Sequence, residues 1–94
     1  MELVIKMELS DELWKEVGFV ISSKYRTKVM KSLLNDVKIP SQISEDVGIK
    51  TNHVSNNLKL LKDHGLVECI NPEARKGRLY RLTDDGEKVA KSLK

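Results

Sequence analysis

The chain has one cysteine, two prolines, five glycines and no long apolar run, and each shortage removes a class of protein. Cys69 alone cannot close an internal disulfide, and no Cys or His partner stands at metal-ligand spacing, so a structural metal is not expected. No apolar run approaches the roughly 20 residues of a membrane span, which predicts a chain with no membrane partner. The opening "MELVIKMELS" lacks both the basic start and the hydrophobic middle of a secretion signal, and a cytoplasmic location is the expectation. There is no glycine-rich phosphate loop, no nucleophile motif and no metal-ligand pair, so the sequence does not read as an enzyme and calls for no cofactor. Repeats and low-complexity linkers are also missing.

What is present suits one globular domain: 94 residues, 39% apolar and 33% charged. The net charge of +3 is unevenly placed. Met1 to Ile49 holds 7 basic and 8 acidic residues, Lys50 to Arg81 holds 7 and 3, and Leu82 to Lys94 holds 3 of each. The central surplus fits a polyanion partner or, equally, a solvated surface.

Hydrophobic spacing divides the chain. Leu3, Ile5 and Met7 alternate as in a short strand, though a helix entry or an arm fits as well. Ser10 can cap a helix bearing Leu13, Trp14, Val17, Val20 and Ile21. "SSKYRTKVMKSLLND" continues with Tyr25, Val29, Met30, Leu33 and Leu34 on one face, ending near Asn35 and Asp36; the periodicity leaves open whether the two helices are continuous. Lys24, Arg26, Lys28 and Lys31 either touch phosphate or form a solvated face. Pro40 and Pro72 mark boundaries.

After "VKIP", Ser41 is the expected cap of a short helix "QISEDV" that ends at Gly48, and Thr51 the expected cap of a second helix reaching His64, with Gly65 as its stop. Short helix, three-residue turn and longer helix are helix-turn-helix geometry. With Val54, Leu58 and Leu61 turned inward, Asn52, Asn56 and Lys59 fall on the opposite side, flanked by Ser55 and His53. Exposed positions ordinarily favour better helix formers than Asn, so Asn52, Asn56 and Asn57 each cost a few tenths of a kcal/mol. Amides and hydroxyls both donate and accept, as base edges in a major groove require. A solvated face is the bland alternative.

Next come a strand "LVECI", a basic loop "NPEARKG" and a strand "RLYRL", with Leu79 and Leu82 expected on one face and Tyr80 and Arg81 on the other. Arg75, Lys76 and Arg78 surround Gly77, which permits a tight turn, so three cations can reach phosphate or a minor groove. Thr83 is the expected cap of a last helix, with Asp84 and Asp85 in its first turn.

These segments, "SKYRTKVMKSLL", "IPSQISEDVGIKTNHVSNNLKLLKDHGLVECI", "RKGRLYRLT" and "DDGEKVAKSL", resemble the winged helix-turn-helix transcriptional regulators of the ArsR and MarR type, particularly their small archaeal forms. The implied fold is mainly α with a small β-hairpin wing (α+β) in a single domain. Residues 1–22 would be an N-terminal segment and first helix, 23–83 the winged core, and 84–94 a C-terminal helix. The resemblance implies double-stranded DNA as partner, with helix 51–64 in the major groove and Asn52, His53, Ser55, Asn56 and Lys59 reading bases. Ser41, Gln42, Lys50 and Thr51 would approach the backbone, and the wing, 71–78, would act through Arg75, Lys76, Gly77 and Arg78. It also implies a homodimer built from the terminal helices, the first carrying Trp14 and Phe19. The cysteine pair of metal-sensing ArsR proteins has no counterpart, and His53 and His64, eleven positions apart, are a poor chelating pair. No small-molecule effector can be named, and a pocket for one would have to form between subunits. The rival reading is a winged helix used as a protein–protein interaction module.

Overall fold

The computed structural model describes residues 9–93, so the alternating Leu3, Ile5 and Met7 lie outside the described residues. Ser10 accepts a hydrogen bond from the Leu13 N–H at 3.1 Å and starts α1 (Asp11–Ile21), whose positive end also carries Asp11 and Glu12. The question left by "ISSK" is settled as a corner: α1 stops at Ile21, and Ser23 caps a separate α2 (Lys24–Ser32) through the Arg26 N–H. Arg26 holds that corner from the other side. Its Nε donates to the Phe19 carbonyl at 2.9 Å, its Nη2 donates to Ser22 Oγ at 2.7 Å, and its guanidinium sits 4.0 Å above the Phe19 ring. Helix α2 closes three residues earlier than periodicity predicts, because Asn35 takes a left-handed conformation (φ 62°) that turns the chain away.

The next two boundaries correct the expected caps. Pro40, not Gln42, is the first residue of α3 (Pro40–Val47), and Ser41 lies inside the first turn. Proline has a fixed φ suited to that position and forces the preceding residue to be extended, so Ile39 becomes the N-cap. Gln42 Oε1 then accepts the Ile39 N–H at 3.0 Å. Likewise Thr51 is the first residue of α4 (Thr51–Asp63) rather than its cap; Lys50 occupies the cap position without a side-chain hydrogen bond. Gly48 (φ 73°) ends α3, and Ser44 Oγ donates to the Ile49 carbonyl, fastening the turn.

Gly65 (φ 74°) leads into β1 (Val67–Cys69), which pairs antiparallel with β2 (Tyr80–Leu82), Val67 opposite Leu82 and Cys69 opposite Tyr80. The strands are shorter than "LVECI" and "RLYRL", and the faces differ in part from the expected ones. Tyr80 and Leu82 turn toward the core while Arg81 points out, where its Nε donates to Glu68 Oε2 at 2.8 Å. The register is fixed by Val67 facing the core and by a bridge that sequence does not reveal: Lys38 N–H donates to the Tyr80 carbonyl at 3.0 Å and Tyr80 N–H to the Lys38 carbonyl at 2.8 Å. The Lys38 side chain pairs with Asp46 on α3 and donates to Ser32 Oγ at 3.2 Å. One residue therefore ties hairpin, α2 and α3 together.

Thr83 caps α5 (Asp84–Lys91) by accepting the Gly86 N–H at 3.0 Å, and it also donates to the Gly65 carbonyl at 2.7 Å. Gly86 packs so closely on β1's approach that a Cβ there would stand 1.9 Å from the Leu66 carbonyl oxygen. The core gathers Val20, Val29, Met30, Leu33, Ile43, Val54, Leu61, Leu66 and Val89, drawn from every helix and the entry to the hairpin.

Candidate nucleic-acid interface

The geometry of the site begins with α4, 13 residues and about 20 Å long, buried along Val54, Asn57, Leu58 and Leu61. Asn57 thus belongs to the packed side: it is 9% exposed, and its Nδ2 donates to the His53 carbonyl at 2.7 Å. Its poor helix propensity has a local structural answer. Asn52, Ser55, Asn56 and Lys59 are exposed, with no acid anywhere between Asp46 and Asp63 in the sequence. His53 differs from these four. It is half-buried, its ring tilted at 48° against Tyr25 of α2 with centroids 5.2 Å apart. The α4 face is therefore a neutral, hydrogen-bonding strip edged on one side by an aromatic contact.

Ser41, Gln42, Lys50 and Thr51 are all exposed, around the first turns of α3 and α4. Gln42 spends its carbonyl oxygen on the Ile39 cap and keeps its amide donors. Neither α3 nor α4 has an acid in its first turn, in contrast to α1 and α5. The positive ends of the helix-turn-helix pair are thus not neutralised from within their own first turns.

The wing is more built than "NPEARKG" suggests. Asn71 Oδ1 accepts the Leu79 N–H at 2.7 Å while Asn71 Nδ2 donates to the Gly77 carbonyl at 3.2 Å. The Ala74 N–H donates to the Asn71 carbonyl at 3.0 Å, and Arg78 Nε donates to the Ala74 carbonyl at 2.7 Å. Gly77 makes the turn at φ 69°. Arg75, Lys76, Gly77 and Arg78 are all exposed, but Arg78 also closes the loop. Asn71 was missed as a site residue. Its signal was the Asn-Pro step at the loop's start, which favours a side chain folded back on the backbone.

His64 sits far from His53 in its surroundings: it is the C-cap of α4, stacked on Phe19 at 3.7 Å and hydrogen-bonded through Nδ1 to Glu16 at 2.8 Å. Among the described residues no three His, Cys, Asp or Glu side chains gather to hold a metal ion. No helix among them is long and apolar enough to cross a membrane.

A helix pair joined by a tight turn, a second helix exposing a polar strip and a following antiparallel hairpin define a winged helix-turn-helix domain. Solved structures agree. The homodimeric winged helix-turn-helix DNA-binding domain of Mb0332 from Mycobacterium bovis, a possible ArsR-family transcriptional regulator, is 26% identical, with TM-score 0.64, over 89% of this chain and 80% of its own. The transcriptional repressor BigR of Xylella fastidiosa is 25% identical, with TM-score 0.66, over 85% of this chain and 74% of its own. A mutant of ZitR from Lactococcus lactis is 22% identical, with TM-score 0.64, over 73% of this chain; the match spans only 48% of the ZitR chain. No family model matches the sequence, and no curated sequence resembles it closely enough to count as a relative.

Proposed function

We propose that the chain is a homodimeric, sequence-specific regulator of transcription that binds double-stranded DNA, in the manner of the ArsR- and MarR-type regulators in their small archaeal form. The observation that carries this is the exposed amide and hydroxyl strip of α4, flanked by helix starts without acids and accompanied by a cationic wing. Asn56 and Asn52 have the groups to pair with adenine edges, and Lys59 to reach guanine or phosphate. His53 takes part from the rim. Ser41, Gln42, Lys50 and Thr51 position the helix on phosphate, while Arg75 and Lys76 extend the footprint. The descriptions of Mb0332 and BigR support the DNA-binding reading, and that of Mb0332 supports the dimer.

The test is selection from a randomised duplex pool, by the unaltered chain and by two variants. The parent is expected to enrich a near-palindrome with half-sites about one helical turn, ~34 Å, apart. Asn56→Ala should blur one or two base pairs, with a loss of about 1–3 kcal/mol on the preferred site. Arg75→Ala should weaken all duplexes alike and flatten the salt slope by about 1 for each protomer of the dimer. Binding without enrichment would leave a nonspecific DNA protein, and no binding at any salt would favour the protein–protein interaction module.

A further inference from the structure

The even charge balance of the first 49 residues conceals a one-sided segment. From Val17 to Asn35 there is no acid, yet there are four cations, Lys24, Arg26, Lys28 and Lys31. The structure separates them. Arg26 is committed to the α1–α2 corner by its bonds to Phe19 and Ser22. Lys24, Lys28 and Lys31 stand at i, i+4 and i+7, forming one exposed stripe along α2. Neither Lys24 nor Lys28 forms an ion pair among the described residues.

The contact between Tyr25 and His53 says where that stripe lies. At about 100° per residue, Lys28 and Lys24 follow Tyr25 by about 60° and 100° on the side away from the core, while Asn56 follows His53 by about 60° on α4. The ring pair is therefore the seam between two exposed faces, one of amides and one of lysines. It joins the first turns of α2 and α4, and the first turns of the second helix are what reaches base edges in a helix-turn-helix. A duplex against α4 would meet the lysines across that seam.

We propose that Lys24 and Lys28 form a second phosphate-binding surface, which takes the sugar–phosphate backbone of the duplex whose bases face α4. This rests on the DNA-binding reading above and adds a contact outside both the helix-turn-helix and the wing. Charge complementarity and continuity with the α4 strip select nucleic-acid backbone as the occupant.

The experiment measures affinity of the full chain for its selected duplex between about 50 and 200 mM salt, for the parent, K24A/K28A, K24R/K28R and R75A. Each lost phosphate contact lowers the salt slope by about 0.9, and the proposed homodimer loses two per protomer, so over this fourfold range K24A/K28A should lose affinity roughly 100-fold less than the parent. Its ranking of mismatched duplexes should be unchanged, and K24R/K28R should restore the parent slope, since charge rather than shape is at work. A parent-like slope in K24A/K28A, with R75A still flattened, overturns this proposal alone. Altered base ranking in K24A/K28A, or failure of the arginine pair to restore the slope, also overturns it. A parent that binds no duplex overturns both readings together.

Discussion

Gly86 carries a constraint that concerns space and not backbone freedom. Alanine there would drive a methyl group into the Leu66 carbonyl, which belongs to the main chain and cannot rotate aside, so α5 must lift from the hairpin's root. Gly86→Ala is expected to lose about 3 kcal/mol, the upper part of the range for overpacking, as measured by urea unfolding. Asp46 makes the opposite kind of case, an exposed group whose partner sets its titration. The hydrogen bond from Lys38, with its charge and a weaker bond from Ser32, outweighs desolvation and holds the carboxyl below its usual value of 3.8. A depressed folded pKa gives stability that is present above the unfolded value and lost as pH falls through the folded one. The gap in stability between the parent and Asp46→Asn should therefore be full at neutral pH, begin to shrink as pH falls below about 4, and vanish only once pH passes below the depressed folded value, in urea melts run across pH. At this scale much was legible. Asn52, Ser55, Asn56 and Lys59 lie exposed as the helical wheel placed them, whereas Asn57 and His53 were governed by contacts that a wheel does not contain.

Every described helix was visible in the sequence because apolar spacing at 3.6 residues is a local signal repeated along its length. Their starts were less so. Ser41 and Thr51 are good caps by composition, yet Pro40 claims the first helical position for steric reasons and Lys50 ends a three-residue turn. Within the hairpin Leu82 faces inward and Arg81 outward as expected, but Tyr80 turns to the core in place of Leu79, since the strands are only three residues long and Tyr80 is held by the Lys38 backbone, some forty residues away in sequence. The wing tip depends on Asn71 in the same way that the hairpin depends on Lys38. Asn71→Ala removes the acceptor for Leu79 and the donor to Gly77, bonds worth about 1 kcal/mol each. The expected result is faster hydrogen exchange at Leu79 and equal weakening on all duplexes, with the base preference of α4 intact.

The described molecule is elongated, 44 × 25 × 20 Å, and α1 leaves an apolar face uncovered: Trp14 is 45% and Ile21 61% exposed, with Gly18 between them at helical spacing. In the proposed homodimer that face, rather than Phe19, which is stacked by His64 and covered by Arg26, would be the part of the first helix that meets a second copy. Ile21→Glu is expected to yield a folded monomer in analytical ultracentrifugation, with most affinity for a palindrome lost and half-site binding weak but measurable. In that dimer the two α4 helices would stand about one DNA turn apart, as two-fold helix-turn-helix dimers require. Lys38 bonds to the hairpin through its backbone and to α3 through its ammonium, so wing and helix pair share one bracket. Each base pair added to a duplex rotates the next by about 35°. On the proposed operator, the bracket would then act as a phase gauge: groove and flanking backbone would be accepted only at one mutual rotation, and the local twist of the DNA would become part of what is recognised.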